Sequence, residues 1–239
     1  MGLAAARVVI LGGTSGIGLA TAKAAAAKEA DVVVVSSRKA SVDSALQQLP
    51  ASAEGRVVDI SSVAALEEFF ATVGEFDHLV YTAGEGLEMT PLASYDIDKA
   101  RRFFDLRFFL ALEAVRLAVP HLRADGSIAL TSGTAALRPS AGWTLGAAVS
   151  GAMVSAGKAL AVELAPLRVN VIAPGVVRSP LWSAMSDEDR SAMYEYVGSQ
   201  LPLGRVAEVD DVAAEYVHVM EQEYATGTVT VIDGGSVLV

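Results

Sequence analysis

The stretch Arg7–Gly18, with the sequence RVVILGGTSGIG, constrains the fold more than any other part of the chain. Its apolar residues, Val8 to Leu11, predict a buried strand, and the glycines after them predict a tight turn into a helix that begins near Gly16. Glycine accepts positive φ and lets the backbone approach a ligand closely. The N-terminus of the next helix offers unpaired N–H groups and a partial positive charge, which suit a pyrophosphate. The stretch therefore indicates a dinucleotide-binding loop, with an ordinary strand–helix turn as the alternative.

Strand and helix patterns alternate along the rest of the chain, which predicts a doubly wound α/β fold with a parallel sheet and helices on both faces. The later predicted strands are Asp31–Arg38, Gly55–Ile60, Asp77–Gly84, Ser127–Ser132, Arg168–Gly175 and Thr228–Gly235. The later predicted helices are Ser41–Leu49, one from Ser61 or Ser62 to about Val73, one long helix from near Ser94 to His121, Leu145–Leu164 and Glu208–Glu221. The stretch from Gly175 to Gly204 is predicted to be irregular. Because no linker or repeat interrupts the pattern, residues 1–239 are predicted to form a single domain.

The composition excludes several classes of function. The net charge is −10 and no basic run occurs, which argues against a nucleic-acid partner. The chain has no cysteine, and its three histidines are scattered, so no metal site is expected. No apolar run looks long enough to span a bilayer, and the segment before the first strand is too short for a signal peptide. We therefore expect a cytoplasmic protein without a membrane partner.

The end of the second strand distinguishes NAD from NADP. In open α/β sheets the ligand lies at the carboxyl ends of the strands, and an acidic residue at this position binds the ribose 2′-hydroxyl of NAD. Here the strand ends Ser36-Ser37-Arg38, without Asp or Glu. Arg38 can pair with a 2′-phosphate, and the serine hydroxyls can donate to it. The sequence therefore predicts NADP(H), unless Arg38 is a solvated loop arginine.

Further motifs follow the glycine loop in a fixed order. They are Asp59-Ile60, Ala83-Gly84, Pro120-His121-Leu122, Ser132, Arg168-Val169-Asn170, Pro174-Gly175, Pro202-Leu203-Gly204-Arg205 and Asp233-Gly234-Gly235. With these motifs the chain resembles the short-chain dehydrogenase/reductase family along essentially its whole length. The resemblance implies a single-domain Rossmann fold with a seven-stranded sheet, and assembly into a homo-oligomer, a dimer or tetramer. It also implies oxidation or reduction of a small-molecule substrate.

The predicted cofactor-binding residues combine the glycine loop, the end of the second strand and the positions that the resemblance implies. They are Gly12, Thr14, Ser15, Gly16, Ile17, Gly18, Ser37, Arg38, Asp59, Ile60, Ala83, Gly84, Pro174, Gly175, Val177 and Ser179.

The usual catalytic tetrad of this family consists of Asn, Ser, Tyr and Lys, with Tyr and Lys four residues apart on one helix face. The chain has one Tyr-x-x-x-Lys pair, Tyr95 and Lys99, but it precedes the fifth strand, whereas the family's pair follows it. We interpret that pair as a surface feature. Lys158 has Val154 four residues before it, which cannot transfer a proton.

Counting back from the segment Leu160–Leu164 places the family's tyrosine on Gly146 and its lysine on Ser150. Counting back from the Pro-His-Leu motif places the asparagine on Arg107. Of the tetrad only Ser132 is then retained, and the predicted catalytic residues are Ser132 and Arg107.

Arg107 can set a fixed positive charge beside a developing alkoxide, although a permanent cation is a poor proton donor. Two simpler interpretations stay open: Arg107 as a salt-bridged helix residue, and Ser132 as a serine bonded to its own backbone. The other candidate proton donors are interpreted as packing residues; they are Tyr81, Trp143, Thr144, Tyr194 and Tyr196.

Two functions follow from this pattern. The first is an atypical NADP(H)-dependent oxidoreductase whose substrate is apolar, because the segment Leu181–Leu201 that would cover it is apolar. The second is a non-redox protein on the same fold, such as a dehydratase, a cyclase or a cofactor-binding regulatory protein. Glycines 146, 151 and 157 make a thin helix, which favours close packing against a second subunit or within one subunit.

Overall fold

The computed structural model describes residues 2–87 and 90–239 of the chain. Within these ranges the strands are β1 Arg7–Leu11, β2 Asp31–Ser36, β3 Glu54–Val57, β4 Phe76–Tyr81, β5 Leu122–Thr131, β6 Arg168–Pro174, β7 Val177–Arg178, β8 Ala207–Glu208 and β9 Val229–Ile232. The α-helices are α1 Gly16–Ala26, α2 Lys39–Leu46, α3 Val63–Val73, α4 Ile97–Phe104, α5 Leu110–Ala118, α6 Thr144–Glu163, α7 Asp187–Gln200 and α8 Val209–Glu221. Short 3₁₀ turns are Leu92–Ser94, Val119–His121, Thr134–Ala136 and Pro180–Trp182, and a π-helical turn, Asp105–Phe109, joins α4 to α5.

Seven strands form one sheet in the order β3-β2-β1-β4-β5-β6-β9, and every neighbouring pair in it is parallel. The predicted α/β Rossmann fold with a seven-stranded sheet is therefore confirmed. The chain winds from β1 towards β3 in one direction and from β4 towards β9 in the other. The order of strands thus reverses between β1 and β4, and a crevice opens there at their carboxyl ends.

Alternate residues of β1 face opposite sides of the sheet, and both sides are covered. Val8 and Ile10 belong to a buried cluster that includes residues of α1 and α8. Val9 and Leu11 belong to a second cluster that includes residues of α3, α5 and α6. Burial on both faces explains why the central strands read as continuous apolar runs instead of alternating ones.

Several predicted strand and helix ends are displaced by a few residues, and two predicted segments differ more from the structure. Helix α7 lies in the stretch that was predicted to be irregular. Its apolar periodicity is weak, but its start carries a clear signal, since the Ser186 hydroxyl accepts a hydrogen bond from the Asp189 N–H and three acidic residues occupy the first turn. The predicted long helix from Ser94 to His121 is interrupted by the π-helical turn, which places one extra residue between α4 and α5.

Helix α6 corrects the prediction that no apolar run is long enough to span a bilayer. It has 20 residues, and its most apolar window has a mean hydropathy of 1.5, so within the described ranges it alone meets the length and composition of a membrane span. Met153, Gly157 and Ala161 on α6 are buried, and a Cβ at Gly157 would overlap the Val171 side chain of β6. The core helix of a soluble protein meets the same criteria.

The Arg168-Val169-Asn170 motif holds the edge of the sheet to the end of α8. Arg168 donates to the carbonyls of Val219, Met220 and Gln222, with donor–acceptor distances of 2.7–2.9 Å. These are carbonyls in the last turn and just beyond the end of α8, where a cation is favourable. Asn170 bridges the carbonyl of residue 225 and the amide of residue 228. The motif therefore supports the fold at a distance from the crevice.

His78 is buried in the centre of the sheet, where it pairs in register with Ser127 of β5. Its Nδ1 lies 2.9 Å from the Ser127 hydroxyl. Burial lowers the pKa of His78 to about 4. The imidazole is therefore neutral in the folded protein at neutral pH.

We predict that His78 makes the fold sensitive to mild acid. Above pH 6.5 the side chain is neutral in both states and contributes no pH dependence. As the pH falls from about 6.5 to 4, the unfolded chain binds a proton that the folded chain rejects, because the folded pKa of His78 is the lower one. The free energy of unfolding should therefore fall by roughly 3 kcal/mol more in the natural chain than in His78→Asn, which keeps a polar atom near Ser127. Urea unfolding between pH 7 and 4 measures this, with the exposed His218→Asn as control. Identical pH dependence in the natural chain and His78→Asn would contradict the assignment.

Candidate functional site

The predicted cofactor residues lie together along the carboxyl edge of the sheet. Gly12–Gly18 follows β1, Ser37-Arg38 follows β2, Asp59-Ile60 follows β3, Ala83-Gly84 follows β4, and Pro174 to Ser179 runs from the end of β6 through β7. The catalytic candidate Ser132 follows β5. One edge of the sheet thus collects side chains and loops that are distant in sequence.

The glycine loop passes closely over the end of β4. Gly12 has φ +88°, and a Cβ on it would lie 2.7 Å from the Ala83 backbone nitrogen. A Cβ on Gly18 would overlap the Gly12 carbonyl and lie 2.5 Å from Thr82 Oγ1. A side chain at either glycine would therefore push the loop away from β4. This close approach leaves the loop surface open to a ligand at the point where β1 and β4 separate.

The N-terminus of α1 is left free for an anion. Its N-cap, Ser15, is exposed and makes no side-chain capping bond, and the first turn contains no acidic residue. By contrast, Ser62 caps α3 and Asp96 caps α4 through their side chains. Free N–H groups and the helix dipole at α1 fit a pyrophosphate. The loop is thus suited to the dinucleotide that its sequence indicates.

Arg38 and Ser37 are exposed at the start of α2. Among the residues that the structure describes, the Arg38 guanidinium has neither a hydrogen bond nor an ion pair. The Asp59 carboxylate, by contrast, accepts hydrogen bonds from the amide and hydroxyl of Ser61, at 3.0 and 2.7 Å, and these bonds lower the pKa of Asp59. The end of β2 therefore offers an unpaired cation to a phosphate.

A small cavity of about 50 Å³ lies at the ends of β4 and β5 and beside α6. It is lined by Tyr81, Thr82, Ala83, Arg107, Thr131, Ser132, Val149 and Ser150. Both catalytic candidates are therefore in one cavity, next to Ala83 of the predicted cofactor site. Within residues 2–87 and 90–239, no group of three His, Asp or Glu side chains is placed to hold a metal ion.

Ser132 faces α6 across this cavity. Its hydroxyl donates to the Ser150 carbonyl at 2.9 Å, so it bonds to the facing helix and not to its own backbone. Gly146 lies one turn earlier on α6, and a Cβ on it would lie 2.9 Å from Cε3 of Trp143. The Trp143 indole thus covers the face of Gly146. Neither Gly146 nor Ser150 supplies an ionisable side chain.

Arg107 lies in the π-helical turn and points back towards the end of β4. Its Nη2 donates to the Glu85 carbonyl, and its guanidinium carbon lies 4.8 Å from the centroid of the Phe103 ring. Burial lowers the pKa of Arg107, but a guanidinium stays charged at neutral pH. Within the described chain Arg107 forms no ion pair, so the interpretation as a salt-bridged helix residue does not hold.

Tyr81 holds the π-helical turn and was not recognised from the sequence in that role. The Leu110 N–H bonds to the Asp105 carbonyl in the π pattern, which leaves the Leu106 carbonyl without its usual helical partner. The Tyr81 hydroxyl donates to this carbonyl at 2.5 Å. Burial raises the pKa of Tyr81, which disfavours proton transfer by this phenol. Tyr81 thus fixes the segment that carries Arg107.

The other candidate proton donors lie away from the cavity lining. Tyr194 is buried under Arg178, whose guanidinium carbon is 4.6 Å from the ring centroid, and Tyr196 is exposed. Tyr95 and Lys99 are also exposed, which agrees with their interpretation as a surface pair, and Lys158 is exposed too.

An aromatic and methionine-rich cluster lies on the segment that follows β6. Trp182, Tyr194 and Val206 form its buried part. Leu87, Trp143, Val176, Leu181, Met185, Met193 and Val197 pack against it. Trp143 meets Trp182 edge to face at 6.2 Å between ring centroids, which connects the cluster to Gly146 of α6. The site is thus bordered by apolar side chains on this side.

Proteins similar to this chain include the members of one family and a dehydrogenase solved with NADPH. Residues 1–239 match the family described as an SDR-like Rossmann domain. The short-chain dehydrogenase/reductase ucsE of Acremonium sp is 35% identical over 97% of this chain and 95% of its own length. The crystal structure of a small-chain dehydrogenase in complex with NADPH is 34% identical, covers 98% of this chain and 100% of that one, and has a TM-score of 0.87. The structure of the MalC reductase/Diels-Alderase from Malbranchea aurantiaca is 28% identical, covers 99% of this chain and 97% of that one, and has a TM-score of 0.90.

We predict that Gly18→Ala disrupts the dinucleotide loop. Because the new Cβ overlaps the Gly12 carbonyl, the loop must move, and we expect at least a tenfold loss of NADPH affinity and about 1–3 kcal/mol of stability. Fluorescence titration and urea unfolding measure the two effects. Gly2→Ala is the control, since a Cβ there meets nothing within 4 Å, and it should alter neither quantity. Unchanged NADPH affinity in Gly18→Ala would show that this loop does not hold the cofactor.

Proposed function

The chain belongs to the short-chain dehydrogenase/reductase family of oxidoreductases, and from this premise we propose that it is an NADP(H)-dependent enzyme with an altered catalytic site. The observation that carries the proposal is that Ser132 and Arg107 meet in one cavity beside the dinucleotide loop. When bound, NADP(H) supplies or accepts the hydride that interconverts a carbonyl and an alcohol.

The preference for NADP(H) rests on the end of β2. Arg38 is exposed and lacks a partner among the described residues, while Ser37 adds a hydroxyl donor. No carboxylate stands at the end of β2 to bind a ribose hydroxyl or repel a phosphate. The NADPH complex of the 34% identical dehydrogenase supports the same choice. The remaining cofactor contacts would come from the glycine loop and the segment from Pro174 to Ser179.

We further propose that the family's usual Tyr and Lys are absent, with Gly146 and Ser150 in their places and Arg107 in the place of Asn. The position of Ser150 opposite Ser132 supports this placement. So does the Trp143 indole, which fills the space over Gly146 that a longer side chain would need.

In this site Ser132 and Arg107 have different tasks. The Ser132 hydroxyl turns from the Ser150 carbonyl to the substrate oxygen and donates a hydrogen bond to it. Arg107 stabilises the negative charge that develops on that oxygen during reduction. Because Arg107 keeps its own proton, the proton that completes the alcohol comes from water. The lack of a positioned general acid is expected to cost about 10²–10⁴ in rate.

The substrate of the proposed reaction is a small molecule with an apolar body. Trp143, Trp182 and Leu181 belong to the apolar cluster that borders the site. Aromatic and methionine side chains suit a large apolar surface without fixing one shape.

A second candidate is a non-redox cyclase that binds NADP(H). It is favoured by the lack of an ionisable side chain at Gly146 and Ser150. The MalC protein, at 28% identity, is described as both a reductase and a Diels-Alderase, so the two activities occur together on a similar chain.

The oligomeric state and the cellular location are proposed from the sequence. We propose a homo-oligomer in which α6 takes part, because its small residues permit close approach and Val162 on it is 82% exposed. A cytoplasmic location, without a nucleic-acid or membrane partner, is proposed from the composition.

We predict that Arg38 determines the cofactor preference. NADPH should bind at least tenfold more tightly than NADH, and Arg38→Gln should weaken NADPH binding by a similar factor while leaving NADH binding unchanged. Calorimetric titration measures both affinities. Arg101→Gln, an exposed change on α4, is the control and should alter neither. Tighter binding of NADH by the natural chain would overturn the prediction.

We predict slow NADPH consumption with apolar aldehydes and ketones, and its loss on changes at the cavity. Ser132→Ala and Arg107→Ala should each reduce turnover by about 10²-fold or more, because each removes a donor to the developing oxyanion. Absorbance at the NADPH band follows the reaction, and Lys158→Ala serves as an exposed control on α6. If NADPH binds but no carbonyl compound is reduced, the cyclase candidate takes precedence.

A further inference from the structure

The guanidinium of Arg107 makes its contacts through Nη2 and its flat face, and Nη1 has no hydrogen-bond partner among the described residues. Nη2 is engaged by the Glu85 carbonyl, the flat face lies over Phe103, and Nε is buried without a hydrogen-bond partner. These contacts do not involve Nη1. They also restrict its motion, since the π-helical turn that carries it is fixed by Tyr81.

The remaining terminal nitrogen, Nη1, lies close to Gly84. A Cβ at Gly84 would be 2.8 Å from Nη1, so the lack of a side chain there lets the guanidinium keep this position. Among the described residues, nothing accepts a hydrogen bond from Nη1. Nη1 is therefore the donor that Arg107 keeps available for a ligand at the end of β4.

Within the part of the chain that the structure describes, Arg107 has no ion-pair partner. Among the described lining residues of the cavity, Arg107 alone is charged at neutral pH. The Glu85 carboxylate attracts it but forms no ion pair with it. A half-buried cation without an ion-pair partner is unfavourable, and an anion in the cavity would compensate it.

We infer that the substrate carries an ionised oxygen, a carboxylate or the enolate of a 1,3-dicarbonyl, which accepts a hydrogen bond from Arg107 Nη1. This inference deepens the proposed function and rests on it: Ser132 donates to the reacting carbonyl, and Arg107, whose charge stabilises the developing alkoxide, also binds the anionic oxygen beside it through Nη1. The apolar body of the substrate extends towards Trp143 and Trp182. A neutral ketone of the same shape satisfies Ser132 but leaves Arg107 uncompensated.

Matched pairs of small probes test the inference by binding, independently of turnover. The NADPH-loaded protein is titrated with phenylpyruvate and with its methyl ester, and with benzoylacetone below and above the pH at which that diketone ionises. Calorimetry gives the dissociation constants. We expect at least one of the two anions to bind tenfold or more tightly than its neutral counterpart, and the arm in which this occurs identifies the carboxylate or the enolate.

Variants test whether the preference for the anionic probe depends on Arg107. Arg107→Gln should abolish it, and Arg107→Lys should retain part of it, because lysine keeps the charge but not the planar group. Arg102→Gln, an exposed change one turn earlier, should leave it intact, and thermal unfolding checks that each variant is folded.

Equal binding of anion and neutral probe in both arms would overturn the inference, as would a preference that persists in Arg107→Gln. If the anion is preferred but no NADPH is consumed, the inference holds and the redox part of the proposed function fails.

Discussion

The contact of Gly12 with the backbone of Ala83 is the constraint on which the site depends. At this point β1 and β4 part, and only the lack of a Cβ lets the two chain segments come within van der Waals distance. The contact positions the start of α1, and therefore the free N–H groups that follow Ser15. It also fixes Ala83 and Gly84, against which the catalytic candidate Arg107 lies. One backbone contact therefore positions both the glycine loop and the residues at the end of β4 beside the cavity.

The glycine loop and the surroundings of Arg107 differ in how directly the sequence predicts them. The glycine loop could be placed because its function depends on backbone geometry, and glycine reports that geometry directly. The same holds for the seven-stranded sheet, whose central strands are apolar on both faces. Helix α7 was missed because its apolar periodicity is weak, although the acidic residues after Ser186 indicate a helix start. The predicted strand ends differ from the observed ones by a few residues, because tertiary hydrogen bonds determine where a strand ends.

The geometry around Arg107 could not be read from the sequence for a different reason. The π-helical turn depends on a bond between two elements, from the Tyr81 hydroxyl of β4 to the Leu106 carbonyl between α4 and α5. Tyr81 looks like a packing residue in the sequence because nothing local shows its partner. The same applies to Trp143, whose indole lies over Gly146. Tyr81 lines the cavity and Trp143 covers the neighbouring Gly146, while Ser132 and Arg107 are the cavity's catalytic candidates.

We propose that a dinucleotide bound at the glycine loop ends in the cavity that holds Ser132 and Arg107. A crystal structure of the NADPH complex tests it most directly. We expect the pyrophosphate at the N-terminus of α1, the 2′-phosphate on Arg38, and the nicotinamide beside Ser132 and Arg107, with no tyrosine hydroxyl or lysine amine within hydrogen-bond distance of the reacting position. A nicotinamide bound elsewhere, or Tyr194 or Tyr196 moved in beside Ser132, would contradict it.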